Sequence, residues 1–568
     1  MTHSLKSSHS LLDKSQSRAA PLYKVWAALV VSGVAFLDLF HRFHPAWAVY
    51  GGFDDDFFYY AQVARHIAQG AGSTFDGVHL TNGYHPLWLF CLTLFSAIDS
   101  SRLFFPLVTL AAILSLASIF ILTVQCLRRL GVPPAGQYVV ATLVTFWSDL
   151  LLRGGMEITL ALPLILLLLY LWLDPHPRSL ASFFQLGLLA SLCILARLDS
   201  AILVALLFVA TMRFDPQPAA RWLKRTVAFG CGLAPFWAYL ILNRIFFGSL
   251  LPISAQAKQL RLHHTPQFEP LLSLVHPFTT VRLILVLPGV LGTILLLTLL
   301  RQQRRDSPTT NAVLWALALF PIVQVVSLCF LSDWPLWYWY FYPLVLASFA
   351  AITAWITSNS LPPKIWAGFA LGITVVIFGY TVAYHLGRPP AKNPVFLAAR
   401  DIAAFAESHP GIYAMGDRAG TVGYLLPSPL IQLEGLMMDQ TYLQRMRTQT
   451  SLQLMLREYG VTYYVSTNAR LEDACYVTRE PSQSGPDSPH MSGVFCRPPV
   501  ATFSHDTFVT RIFKVTATQQ KELSAITSTP LIPTYSPQPP HRSPEYTAYP
   551  ATLPRPNSWV SCSSQCNP

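Results

Sequence analysis

Three adjacent carboxylates, Asp54, Asp55 and Asp56, follow the first apolar stretch of the chain in the run GGFDDDFFYY. Gathered beside a bilayer they repel one another and lose hydration, so they need protons, a cation or a cationic partner. On a helix successive side chains point about 100° apart, so at most two of the three can address one small ligand. The competing use is a helix cap, because the first turn of a helix favours negative charge. Further along, TNGYHPLW joins a turn-forming Asn82-Gly83 to His85, with Tyr84 and Trp88 suited to a membrane boundary. Glu157, in RGGMEITL, opens an apolar run behind two glycines that permit close backbone approach, and a helix-start carboxylate is its plainer role. In ARLDS, Arg197 and Asp199 stand between two short apolar runs and either pair with each other or leave the guanidinium for a phosphate, whose oxygens it matches with paired donors. Lys258, in ISAQAKQL, is a second cation, with snorkelling as the commoner explanation for a lone lysine. The run WPLWYWYFYP reads as an interfacial aromatic belt or as a surface for stacking a sugar ring.

The elements that carry these residues are apolar. Of 568 residues 52% are hydrophobic and 12% charged, and the mean hydropathy is +0.41. Both describe an integral membrane protein, and continuous rather than alternating apolar runs describe helices rather than a barrel. Spans are expected near residues 25–41, 103–126, 136–150, 157–173, 182–196, 199–213, 225–246, 281–300, 312–331, 338–357 and 363–385, about eleven in all. The net charge of +11 sits mostly in short loops, CLRRLG, DPHPRS, RWLKR and RQQRRD. That is an orientation signal and not a nucleic-acid footprint. These loops share one side if the amino terminus is cytoplasmic and Pro86 to Ile98 does not cross but lies as an interfacial or re-entrant helix in the first outer loop, residues 42–102. The carboxyl terminus is then outside. Residues 1–24 read as a cytoplasmic tail before a signal anchor, and 25–387 as the transmembrane domain.

From 388 to 523 the composition turns globular. GIYAMGD, PLIQLEG and VTYYVST read as strands and SLQLMLREYG as a helix, which makes a small extracytoplasmic α/β domain. Residues 524–568 are rich in Pro, Ser and Thr and read as disordered. None of the nine cysteines has metal-ligand spacing. Cys91, Cys126, Cys193, Cys231 and Cys329 fall in apolar runs, Cys475 and Cys496 can form a disulfide outside the cytoplasm, and Cys562 and Cys566 fall in the tail. The helix read into FFYYAQVARHIAQG is amphipathic and is expected to lie flat on the membrane, holding the carboxylates over the bundle.

The ordered set DDDFFYYAQVARHIAQG with STFDGVHLTNGYHPLW, then GGMEITL, ARLDS, FGSLLPISAQAK and GDRAGTVGYL with IQLEGLMMD, resembles bacterial polytopic proteins of the GT-C superfamily of membrane glycosyltransferases, relatives of the protein mannosyltransferase and aminoarabinose transferase type. The resemblance runs from about Val25 to Asn468, and the long first-loop motif is its most specific part. It implies an enzyme that takes a sugar from a polyprenyl-phosphate carrier and places it on a glycan, lipid or protein acceptor at the outer face of the cytoplasmic (inner or plasma) membrane. An acidic residue of the first outer loop is the base in such enzymes. Matching YYAQVAR to the two-acid pattern lands on Asp55 and Asp56, with Asp54 as an extra, and Glu157 takes the place of the recurring second-loop acid. Asn82, His85, Arg197, Asp199 and Lys258 are the candidate substrate-binding residues. Arg197, Lys258 or a divalent cation would offset the charge of the leaving phosphate. With oxygen ligands only, such a cation would be magnesium or manganese on Asp55, Asp56 and Glu157. Asp417 and the pair Glu434-Gly435 match the pattern without an assigned role. The rival classes are a transporter or flippase, which should show paired halves and charges near the bilayer midplane, and a non-catalytic assembly protein that keeps the fold without the reaction. No repeat is visible, and the charges gather at one face.

Overall fold

The structure, a computed structural model, describes residues 21–40, 43, 50–100, 102–176, 178–263, 265–275, 280–302, 307–359, 361–387, 389 and 392–515. The expected disordered tail and Cys562 and Cys566 lie outside the described residues, as does most of the expected amino-terminal tail. Seven described helices are long and apolar enough to cross a membrane: α1 (Pro21–Phe40), α4 (Phe104–Arg129), α5 (Pro134–Leu152), α13 (Thr280–Gln302), α14 (Pro308–Leu331), the span Tyr338–Ser358, whose 3-10 turn Tyr338–Phe341 runs into α15 (Tyr342–Ser358), and α16 (Pro363–Gly387). An eighth forms if α9 (Ala219–Gly232) and α10 (Ala234–Phe247) are one span. The sequence reading drew them as a single segment, and they are bent by 54°. Pro235 at the start of α10 gives the reason, since it lacks an N–H and its ring crowds the preceding turn. Four shorter apolar helices complete the set: α3 (Pro86–Ile98), α6 (Ile158–Trp172), α7 (Leu180–Ala196) and α8 (Ser200–Phe214). The chain is a multi-pass, α-helical membrane protein.

Which ends meet follows from side-chain contacts. The end of α5, the start of α6, the turn between α7 and α8, and the start of α15 meet at one end of the bundle, as described below. At the other end Arg129 pairs with Asp174 and Arg225 with Asp215. The 13 residues of α3 extend about 20 Å, short of a bilayer core of about 30 Å. The chain then returns to Phe104 and Phe105, whose ring centroids lie 6.2 and 6.3 Å from Phe57. So α3 begins and finishes on the site's side.

The C-terminal domain holds a five-stranded sheet in the order β2 (Leu430–Gln432), β1 (Tyr413–Met415), β3 (Tyr463–Ser466), β8 (Phe508–Lys514) and β7 (Ala501–His505). The pairs β1–β2 and β1–β3 are parallel, and β3–β8 and β7–β8 antiparallel. A second sheet of β4 (Arg470–Glu472), β5 (Cys475–Glu480) and β6 (Met491–Phe495) is closed by the Cys475–Cys496 disulfide. The three strands and the helix read from sequence are present, and the two hairpins after Arg470 were not read.

This domain sits on α2 (Asp55–Ala68), the helix of the first loop. Along α2, Phe57, Phe58, Tyr59, Tyr60, Ala61, Gln62, Val63 and Ala64 are all buried. The bundle covers one side, and α18 (Ala419–Leu425) of the C-terminal domain covers the side that the amphipathic pattern assigns to water. Glycines make the approach. A Cβ on Gly420 would lie 2.1 Å from the Asp55 carbonyl oxygen, and one on Gly83 1.8 Å from that of Leu436. Backbone cannot yield as a flexible side chain can, so Gly83→Ala is expected to cost about 1–3 kcal/mol and to open the C-terminal domain to limited proteolysis. A melting temperature and digestion pattern like those of the wild type would show that this packing is not needed.

Candidate active site at the end of the bundle

The three aspartates diverge, as a helical start dictates. Asp54 turns to the bundle: its N–H donates to the Gly154 carbonyl at 3.2 Å, and the Tyr338 hydroxyl donates to its carboxylate. A Cβ on Gly154 would lie 1.9 Å from that carboxylate, which accounts for the first glycine of RGGME. Asp55 turns to the C-terminal domain. Its buried carboxylate accepts from the N–H groups of Gly420 at 3.0 Å and Thr421 at 2.8 Å and from the Thr421 hydroxyl at 2.6 Å. Asp55 is therefore a cap after all, but for α18, a helix hundreds of residues away. Three donors of α18 thus claim the Asp55 carboxylate. Asp55→Ala should cost about 1–3 kcal/mol through the lost cap and the stranded donors, read as a lower denaturation midpoint. An unchanged midpoint would contradict the cap.

Asp56 is the one left over. It is partly exposed, and among the described residues it has no hydrogen-bond or ion-pair partner. Burial pushes its pKa up to about 7; the charges of Lys258 and Arg418 work against that rise, while Asp55 and Asp54 add to it.

Lys258 closes α11 (Ile253–Lys258). Asn82 fixes this short helix, its side-chain oxygen accepting from the Ile253 N–H at 2.9 Å. Asn82 is buried and through this bond positions the helix that ends in Lys258. The ammonium of Lys258 donates to the Tyr340 hydroxyl at 3.5 Å and stands 5.7 and 5.8 Å from the ring centres of Tyr340 and Trp334. Burial opposes its charge, but Tyr340 and the Asp56 and Glu434 carboxylates outweigh burial and hold its pKa above the ordinary lysine value.

Glu157, Arg197 and Asp199 form a separate knot. Arg197 is 1% exposed, donates to Glu157 and pairs with Asp199 at 2.9 Å. Asp199 also accepts from Gln324 of α14 at 2.8 Å and from the Tyr342 hydroxyl at 3.0 Å. Glu157 accepts from Tyr60 at 3.2 Å and lies 3.6 Å from His85 Nε2. His85 Nδ1 accepts from the Leu198 N–H at 3.2 Å, which leaves the proton of the neutral ring on Nε2, toward Glu157. Burial lowers the pKa of His85. In this arrangement the Arg197 guanidinium is buried between two carboxylates, whereas the side chains of His85 and Asp199 are each 23% exposed. Among the described residues no three His, Cys, Asp or Glu side chains come together so as to hold a metal ion, so Asp55, Asp56 and Glu157 do not make the expected ligand set.

Sequence reasoning missed what the C-terminal domain brings. Arg418 lies over the Trp337 ring, 4.8 Å from its centre, and its charge acts on Asp54, Asp55 and Asp56. Near it Glu434 and Glu480 are buried and Asp417 is half-buried. Burial raises all three carboxyl pKa values, that of Glu480 to about 8, and repulsion from Asp417 adds to the rise at Glu434 and Glu480. The aromatic run is also not a lipid belt: Tyr338 binds Asp54, Trp337 carries Arg418, and Tyr340 lies between Lys258 and Arg197.

Against solved structures, the chain matches ArnT from Cupriavidus metallidurans in the apo state over 79% of its own length and 93% of that chain, with a TM-score of 0.51 at 14% identity. The chain has a GT-C fold. The same ArnT bound to undecaprenyl phosphate is matched at a TM-score of 0.45 and 14% identity, over 83% of this chain and 98% of that one. The oligosaccharyltransferase of Archaeoglobus fulgidus, tethered to an acceptor peptide, is matched at 0.44 and 14% identity, over 78% and 69%. No family model matches the sequence, and no curated protein gives a significant match. On this GT-C fold the end of the bundle that carries Asp56 is roofed by the chain's own C-terminal domain.

Proposed function

We propose that this protein is a membrane glycosyltransferase that moves a sugar from a polyprenyl-phosphate carrier to a hydroxyl of a glycan, lipid or protein acceptor at the outer face of the membrane. The observation that carries the reading is Asp56: a carboxylate without a bonding partner, pushed up to about 7, with Lys258 opposite, at the end of an apolar bundle. A base with a pKa near the working pH accepts a hydroxyl proton most effectively. Asp56 takes the proton of the acceptor hydroxyl as its oxygen bonds to the anomeric carbon. The bond from that carbon to the phosphate oxygen breaks, the electron pair stays on the phosphate, and Lys258 offsets the charge. A single displacement inverts the anomeric centre. The bilayer edge suits such chemistry, since a polyprenyl tail remains in the lipid while its phosphate reaches the charged face. The GT-C fold supports the reading, and ArnT, which shares it, is known with undecaprenyl phosphate bound. Among the described residues the carboxylates do not gather into a set that fits a metal ion.

The test uses membranes holding the full chain, offered radiolabelled polyprenyl-phosphate sugars in one arm and nucleotide sugars in the other. Label should reach extractable glycan, lipid or protein from a lipid donor with inverted anomeric configuration. Transfer from nucleotide sugars in membranes stripped of polyprenyl phosphate would overturn the proposal.

A further inference from the structure

The arginine that the C-terminal domain sets against Asp56 has three features of a ligand-binding group. First, its backbone is left-handed, with φ of 64°, a conformation that a non-glycine residue holds only where its surroundings enforce it and one that recurs at functional sites. The enforcement is visible. On one side a Cβ at Gly416 would lie 2.0 Å from Glu480; on the other, Asp55 grips the N–H groups of Gly420 and Thr421. Second, the guanidinium carbon stands 4.8 Å from the centre of the Trp337 ring, a cation–π contact with the membrane domain. Third, its only carboxylate neighbour within ion-pair distance among the described residues is Asp417, reached by Nε at 3.4 Å, and its side chain is 27% exposed. The two outer nitrogens of the fork are thus unclaimed, in contrast with Arg197.

The charge balance of the reaction gives that fork an occupant. A sugar joined to a lipid phosphate is a phosphodiester with one negative charge. When the sugar leaves, the lipid monophosphate gains a second charge as the acceptor's proton goes to Asp56. Lys258 supplies one cation from the membrane domain. A planar fork of donors matches two phosphate oxygens at once, which an ammonium cannot do.

We propose that Arg418 binds the lipid phosphate together with Lys258, so that the phosphate site is shared between the membrane domain and the C-terminal domain and is complete only when α18 is docked on α2. This rests on the reading above that the site takes a lipid-linked sugar phosphate. It assigns the motif GDRAGTVGYL a purpose: Asp55 and Gly420 fix α18, and the turn before α18 delivers Arg418.

The test is binding by the full chain in nanodiscs, with undecaprenyl phosphate and undecaprenol as probes that share a tail and differ in the phosphate. Two variants are compared with the wild type. Arg418→Gln keeps the size and loses the charge. Arg418→Gly suits the left-handed turn better than arginine does, so a residue needed only for the turn would be replaced without loss. The wild type should prefer the phosphate, and both variants should bind undecaprenyl phosphate about tenfold or more weakly, the worth of one charge-assisted pair, with undecaprenol binding unchanged and, for Arg418→Gly, an unchanged or higher melting temperature. Wild-type preference that survives in Arg418→Gly overturns the role of Arg418 alone. A wild type that does not distinguish phosphate from alcohol overturns this proposal and the lipid-phosphate reading on which it rests.

Discussion

Replacing Asp56 by Asn is expected to lower sugar transfer by about 10²–10⁴-fold without weakening the fold. Asn keeps the size and removes only the ability to accept a proton, and among the described residues no hydrogen bond or ion pair depends on Asp56. The stability effect has a definite sign. Burial raises the pKa of Asp56 to about 7, so between the ordinary carboxylate range and about pH 7 the unfolded chain gives up this proton while the folded chain keeps it. Stability is lost as pH rises through that window, and above pH 7 the folded chain carries an ionised group in a place that disfavours it. Asp56→Asn removes this penalty and should melt at or above the wild-type temperature at pH 8, with the gain vanishing at pH 4. An inactive variant that is also destabilised at pH 8 would mark Asp56 as structural. The same comparison on Asp55 should come out the other way, since its carboxylate serves α18.

The largest loss of stability is expected at Glu157. Glu157→Ala removes the buried acceptor of Arg197 Nη1 and of the Tyr60 hydroxyl and leaves both donors unsatisfied, at about 1–3 kcal/mol each, while Asp199 remains as the one carboxylate on the guanidinium. The knot ties α6, the α7–α8 turn, α14 and α15 to Tyr60 of the first loop, so its loss should loosen the base of the whole site. Combining Glu157→Ala with Arg197→Met and Asp199→Asn should recover much of the stability, because no charge of the knot then lacks its partner. A stable but inactive Glu157→Ala would instead place Glu157 in the chemistry.

The resemblance to GT-C proteins and the block of three aspartates pointed to Asp55 and Asp56 together, and did not say how their surroundings differ. A helical start sends adjacent side chains in three directions, and what each one meets, Tyr338, Thr421 or Lys258, lies far away in sequence. The glycines of RGGME were legible, because a pair of glycines before a carboxylate signals close approach, and Gly154 backs onto Asp54. Pairing within ARLDS was legible as one of two outcomes. The additional bond from Arg197 to Glu157 was not, since it joins two separate turns. The covering of α2 by the C-terminal domain was not legible because amphipathic spacing says which face is polar and not what covers it. Arg418 was out of reach because left-handed backbone at an arginine leaves no mark in composition. The only signal was its place just before Ala-Gly in a glycine-spaced motif, beside Asp417, which drew attention instead.

The most direct test of the account is the pH dependence of kcat/KM for transfer from a polyprenyl-phosphate sugar, measured with the wild type and with Lys258→Met. Activity should fall on the acid side with a midpoint near pH 7 as Asp56 is protonated, and the midpoint should move upward in Lys258→Met, because the ammonium lowers the pKa of Asp56. An acid limb in the ordinary carboxylate range, unmoved by the loss of Lys258, would contradict Asp56 as the base.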